Sequence, residues 1–152
     1  MMKAKESVFD KKKELIKDHI KAESLKQSKE RIIRNELLSI RYKIENYIDS
    51  NTFEPEKSLK ALDFIKMYLK VLDITKKDLA KHLDMHDSNL HKYLSGERKL
   101  NAQIVLKLSK FTHTNPEYWF RIQIKNELLE LKKESEKVSD YTKYDYKYLA
   151  ED

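Results

Sequence analysis

The stretch Thr75-Lys76-Lys77-Asp78-Leu79-Ala80-Lys81-His82-Leu83-Asp84-Met85-His86-Asp87-Ser88-Asn89-Leu90-His91-Lys92-Tyr93-Leu94-Ser95-Gly96 decides the fold. Thr75 is a good N-cap, Asp78 stands at the third helical position, and Ile74 and Leu79 flank them at the spacing of a hydrophobic staple. A helix of barely two turns follows, Lys76 to Leu83. After the tight connection Asp84-Met85-His86, a second short helix runs from Asp87 to Leu94 and closes at Ser95-Gly96. The chain has 1 glycine, and it falls where a helix stop wants a left-handed residue. In the second helix Leu90, Tyr93 and Leu94 make an inward face, while Asp87, Ser88, His91 and Lys92 share a polar outward one.

Working outward, further helical signals come in quick succession, as in a compact helical domain. Upstream, a helix over about Pro55 to Leu72 is expected to bury Leu62, Ile65, Leu69 and Leu72, leaving Lys60, Lys66 and Lys70 outside. Downstream, Asn101 to Phe111 reads as a fourth helix. From Asn115 a fifth presents Trp119, Ile122, Leu128, Leu129 and Leu131. The rings of Tyr118, Trp119 and Phe120 could stack on bases, but Trp119 lies at a helix start at core spacing and is read as core.

With 2 prolines, 38% charged residues and abundant Lys, Glu and Leu, the chain lacks the turn-formers that strands need. The fold class expected is all-α: a compact five-helix domain with an N-terminal helical extension. Three divisions follow: 1–50 as the extension, for oligomerisation or partner binding; 51–132 as the helical domain; and 133–152 as a polar Tyr-rich tail. The boundary is set near Asn51 by the polar, Pro-ended stretch Asp49 to Pro55. The extension reads as helix from Val8 to Ile48, with a break near Ser24, where Ser24-Leu25-Lys26-Gln27 matches a capping box. Ile33, Leu37, Ile40, Ile44 and Tyr47 form a two-heptad seam for packing on the body or on a partner. The tail, with Tyr141, Tyr144, Tyr146 and Tyr148, suits neither a helix face nor a strand, and is expected to be disordered or to fold on a partner.

Composition excludes several functions. There are 0 cysteines, so disulfides, thiolate metal sites and thiol nucleophiles are absent, which fits a reducing cytoplasm. No segment suits a membrane span or an export signal. No glycine-rich phosphate loop, paired-carboxylate motif or nucleophile signature is found, so no enzyme is expected. His82, His86, His91 and His113 lie in or near the two-helix unit, but zinc wants a cysteine or a close His pair, so neither metal nor cofactor is expected. The net charge of +6 is concentrated: residues 57–115 carry 12 Lys/Arg against 6 Asp/Glu. Such a segment attracts a polyanion.

Two short helices joined by a three-residue turn, the second with a polar outer face, fit a DNA major groove. The words Thr75 to Ala80, Leu83-Asp84-Met85-His86, Leu90 and Leu94 to Arg98 resemble the Xre-type, phage-repressor-like helix-turn-helix family. Asn101 to Phe111 and Thr114-Asn115-Pro116-Glu117-Tyr118-Trp119-Phe120 resemble its HigA-like antitoxin branch. The likeness spans about Leu62 to Leu131. Three positions depart from it: Asp84 stands where glycine is usual, a left-handed conformation that Asp tolerates at some cost, His86 replaces a Ser or Thr cap, and Asp87 is acidic at the helix entry.

The resemblance implies a sequence-specific regulator, a repressor that binds double-stranded operator DNA of inverted symmetry as a homodimer, its reading helices about 34 Å apart. The fifth helix or the N-terminal seam would form the dimer interface, and a cognate toxin is a further implied partner. Lys76, Lys77, Arg98 and Lys99 would grip phosphate, and Ser88, Asn89 and Lys92 would meet base edges. Asp87 would accept from a cytosine amino group or cap its helix. The alternative is a protein-interaction module that keeps the fold without reading DNA.

Overall fold

The computed structural model describes residues 2–50, 54–134 and 140–150; Asn51, where the sequence sets a boundary, and part of the Tyr-rich tail lie outside them. Among the described residues the chain is helical with no strand, as its composition requires. The α-helices are α1 (Met2–Asp49), α2 (Ala61–Leu72), α3 (Lys76–His82), α4 (Asp87–Ser95), α5 (Ala102–Thr112) and α6 (Pro116–Lys133), followed by one turn at Lys147–Ala150. Two compact units are distinguished, Met1–Leu38 and Ser39–Asp152. None of these helices is long and apolar enough to cross a membrane.

In the first unit the expected break at Ser24 does not occur, because α1 runs through it. Neither proline nor glycine interrupts the segment, so the capping-box word finds no helix end to cap. Its apolar side chains stand in the open: Val8, Phe9, Leu15, Ile16, Ile20 and Leu25 are each 57% to 68% exposed.

In the second unit the last turns of α1 belong to the body. Ile40 and Ile44 of the seam are buried and Tyr47 is half-buried. Tyr47 Oη donates to Asn126 Oδ1 at 2.5 Å and accepts from the Leu59 amide at 3.0 Å, while Asn126 Nδ2 donates to the Leu59 carbonyl at 2.8 Å. This triangle ties α1, the approach to α2, and α6 together.

The helix expected from Pro55 begins instead at Ala61. Pro55–Lys57 is a single 3-10 turn, and Lys60 is the N-cap of α2, its amide donating to Asp63 Oδ2 at 2.8 Å. The buried face is correspondingly rotated. Ala61, Phe64, Ile65, Tyr68 and Leu69 are buried, at the i, i+3, i+4, i+7, i+8 spacing, whereas Leu62 and Leu72 are only half-buried. Tyr47 and Phe64 rings meet at 5.8 Å. The larger aromatic volumes of Phe64 and Tyr68 take the core side of the helix.

Tyr68 carries its hydroxyl into that core at 1% exposure, and among the described residues the hydroxyl finds no hydrogen-bond partner. Burial pushes its pKa up to about 12, with Arg41 nearby opposing the rise. A folded-state pKa above the ordinary 10.0 means that stability is fully present below pH 10 and is lost as pH climbs through 12. The loss amounts to roughly 2–3 kcal/mol. Tyr68→Phe is expected to leave neutral-pH stability unchanged or raised by up to about 1 kcal/mol, since no bond is broken. In urea titrations at pH 9, 10, 11 and 12 it should remove the largest share of the alkaline fall, the raised pKa values of Tyr47 and Tyr118 accounting for the rest.

The remaining helices pack pairwise: α2 against α4 and α6, α3 against α4, and α5 against α6. Trp119 is the largest fully buried side chain, and Leu79, Ala80, Leu90, Leu94, Leu108 and Ile122 complete the layer beneath α3 and α4. Leu128, expected in the apolar stripe of the last helix, is 49% exposed, and Lys125 is buried in its place.

Candidate nucleic-acid interface

The two-helix unit is built from its caps. Thr75 Oγ1 accepts from the Asp78 amide at 3.1 Å, and Asp78 Oδ2 accepts from the Thr75 amide at 3.2 Å, closing the expected capping box. Those bonds from Thr75 hold the Asp78 carboxyl below its usual pKa. Helix α3 ends in a Schellman motif: the Met85 amide donates to the Ala80 carbonyl at 2.9 Å and the Asp84 amide to the Lys81 carbonyl at 3.1 Å. Asp84 is left-handed at φ 56°, the conformation that Asp tolerates at some cost where the resembled family favours glycine. Lys107 on α5 steadies the same corner by donating to the Leu83 carbonyl at 2.7 Å.

His86 is the N-cap of α4 and makes no side-chain capping bond. Asp87 is therefore the first helical residue, not the cap, which corrects one of its two expected roles. Its carboxylate lies 3.8 Å from Lys76 Nζ. Leu90 and Leu94 bury the inner face of α4, and Gly96 closes it at φ 88°. The opposite face stands clear: Ser88 and Lys92 are exposed and spaced i, i+4, and Asn89 and His91 are half-buried.

The flanking cations divide in two ways. Lys77 is exposed, whereas Lys76 is drawn onto α4, its Nζ 3.0 Å from His91 Nδ1 and its side chain 28% exposed. Arg98 lies over the Tyr93 ring at 5.2 Å, and Asn101 Nδ2 donates to Tyr93 Oη at 3.4 Å, so the guanidinium is held at the edge of α4. Lys99 pairs with Glu127 at 3.7 Å but is 81% exposed, a contact that water and salt screen heavily. Lys81, Asp84, Met85, His86, Asn89, Tyr93 and Arg98 line a shallow cleft beside the polar face of α4.

Sequence reasoning missed the Lys76–His91 contact and the ring of Tyr93 as a platform for Arg98. The first pair is 15 residues apart with no periodic signal to connect it. Among the described residues no group of three or more His, Asp or Glu side chains could hold a metal.

Comparison with known proteins adds to this geometry. Residues 65–119 match the family model described as helix-turn-helix. The chain is similar to virulence-associated protein A' of Dichelobacter nodosus, 38% identical over 65 residues, covering 42% of this chain and 56% of that protein. It is also similar to an uncharacterized HTH-type transcriptional regulator of Haemophilus influenzae, 28% identical over 64 residues, covering 42% of this chain and 60% of the relative. The chain thus spans somewhat over half the length of these two relatives. No solved structure matches it. The segment 65–119, which contains the capped α3, the left-handed turn at Asp84 and the polar face of α4, is the part of the chain that matches the helix-turn-helix family model.

Proposed function

We propose that this protein is a sequence-specific, non-enzymatic DNA-binding transcriptional regulator. The observation that carries the reading is the outer face of α4, where Ser88 and Lys92 are exposed and Asn89 is half-buried, with the exposed Lys77, Arg98 and Lys99 on the neighbouring segments. A polar helix face 9 residues long, on a fully packed scaffold, suits a major groove. Asn89 offers a bidentate pair for adenine, Lys92 a donor for guanine, and Asp87 an acceptor for a cytosine amino group that competes with Lys76. Lys76, Lys77, Arg98 and Lys99 supply phosphate contacts, Lys77 and Lys99 being the most available. The similarity to the Haemophilus relative, which is named as a transcriptional regulator, supports the same reading.

The protein binds an inverted repeat as a homodimer, and autoregulation as the antitoxin of a toxin–antitoxin pair is the finer reading. In this reading residues 1–50 are the partner-binding extension, 51–132 the DNA-binding domain and 133–152 the tail. The exposed apolar side chains of α1, from Val8 to Leu25, favour a protein partner for the extension, either a second copy or a toxin. The antitoxin role is tested by the neighbouring reading frame: a small toxin-like protein encoded beside the gene is the expected finding.

The test is a titration of DNA selected from a random pool, followed by fluorescence anisotropy at several salt concentrations. Four phosphate-binding cations per protomer give a dimer a slope of log K against log salt of about −7. Lys92→Ala is expected to weaken the selected site by roughly 1–3 kcal/mol and random DNA hardly at all. An equal loss on both DNAs moves Lys92 to the phosphate-binding set, and no selected sequence at all leaves the interaction-module alternative standing.

A further inference from the structure

Resting on the DNA-reading function above, we propose that His91 is a base-reading residue that selects guanine over cytosine, and that Lys76 is the positioning residue that fixes the tautomer in which it reads.

Lys76 Nζ lies 3.0 Å from His91 Nδ1. An ammonium has three hydrogens to donate and no lone pair, so Nδ1 must be the acceptor. With Nδ1 accepting, the ring hydrogen in this contact sits on Nε2. Asp87 Oδ1, 3.8 Å from the same ammonium, holds the cation against α4 from the second side. Lys76, the first residue of α3, thus has two partners on the neighbouring helix.

His91 follows Asp87 by four residues and Ser88 by three, so it shares the face of α4 that carries them. A ring that presents only an N–H, with a positive charge 3.0 Å from its other nitrogen, seeks an acceptor on a negative edge. Guanine offers two such acceptors in the major groove, O6 and N7. Cytosine presents its amino donor there, which meets the Nε2 hydrogen head-on. Without Lys76 the hydrogen can sit on either nitrogen, Nε2 can accept from cytosine, and the choice is lost. Sequence reasoning gave Lys76 to phosphate and left His91 unassigned on the polar face. The contact between them gives His91 a task and adds a positioning role to the phosphate contact of Lys76.

The experiment uses the full chain and has two arms. DNA selected by the wild type is scanned base by base, replacing G·C with C·G at each position of a half-site, and the affinities are compared for wild type, His91→Ala, Lys76→Met and Lys76→Arg. One position is expected where the wild type prefers guanine by roughly tenfold. His91→Ala and Lys76→Met should reduce that preference to within about twofold, and Lys76→Arg, whose guanidinium also only donates, should keep it. The second arm is a two-bond ¹⁵N–¹H spectrum of the free protein, in which wild type and Lys76→Arg show the hydrogen on Nε2 and Lys76→Met shows a mixture. A defined sequence preference that survives both His91→Ala and Lys76→Met at every position overturns the proposal, as does a wild-type spectrum with the hydrogen on Nδ1. A wild type that selects no sequence overturns the DNA-reading function itself and His91's part with it. The spectrum, which needs no DNA, separates that failure from a failure of the Lys76 contact.

Discussion

Trp119→Ala is expected to destabilise the 39–152 unit by about 3–5 kcal/mol, the effect of removing a large aromatic side chain from a packed core. Trp119 has 0% exposure and opens α6 one turn after Asn115 and Pro116 have fixed the helix start. The indole also closes a buried polar network. Its Nε1–H donates to Thr114 Oγ1 at 3.1 Å, and the two threonine hydroxyls of Thr112 and Thr114 lie 2.7 Å apart. Thr112 donates to the Leu108 carbonyl at 2.7 Å and Ser109 to the Thr114 carbonyl at 2.5 Å. Each hydroxyl has one hydrogen, so Thr114 must donate to Thr112 while accepting from Trp119, and every group is satisfied. Trp119→Phe, which keeps most of the volume but removes the donor, should therefore cost roughly 1–2 kcal/mol, clearly less than alanine. Urea unfolding with an unchanged slope and a shifted midpoint is the measurement. Equal losses for the two variants would mean that packing contributes nothing beyond the hydrogen bond.

Lys125→Met is expected to cost about 2–3 kcal/mol, although it replaces a buried charge with an apolar group of similar length. The ammonium, on a residue 7% exposed, caps the C-terminal end of α1. It donates to the Tyr47 carbonyl, to the Ser50 carbonyl at 3.1 Å and to Ser50 Oγ at 2.5 Å, and it lies 4.3 Å from the centre of the Tyr47 ring. A cation there answers the negative end of the helix dipole. Removing it leaves the Ser50 carbonyl without the partner that Lys125 provides, which is why shedding the desolvated charge does not compensate. Hydrogen exchange should quicken first at the amides of residues 39–49, before the rest of the unit opens.

The pH dependence gives Lys125 a second signature. Burial lowers its pKa below the usual 10.5, partly offset by Asp49, so the unfolded chain binds more protons in the alkaline range. Stability attributable to this group rises with pH as it approaches 10.5, and Lys125→Met should abolish that rise. Tyr68→Phe acts on the opposite limb, the fall between pH 10 and 12, so the two variants change different sides of one curve.

What the sequence by itself determined was everything that three or four residues can specify. The capping box at Thr75 and Asp78, the stop at Gly96, and the inward pair Leu90 and Leu94 are local signals. They act within one helical turn, where the backbone itself fixes the spacing, and so the helix-turn-helix was legible before any tertiary contact was known. Local words also misled where they had no tertiary partner. Ser24 spells a capping box inside an unbroken helix, and the rotation of α2 was decided by Phe64 and Tyr68 filling the core in place of Leu62 and Leu72.

The tertiary structure alone decided which distant side chains meet. Tyr47 finds Asn126 across 79 residues, Lys125 finds the end of α1 across 78, and Lys76 finds His91 on the neighbouring helix. A lysine at position 125 reads in sequence as one more solvated charge on a polar helix, and only the packing of α6 against the last turns of α1 turns it into a cap. The physical reason is that such pairings are set by how whole helices pack, a property of the assembled core rather than of any window of the chain. The same holds for the polar face of α4: its position was written in the periodicity of that helix, whereas the partners of Asp87 and His91 were fixed only when α3 laid Lys76 beside them.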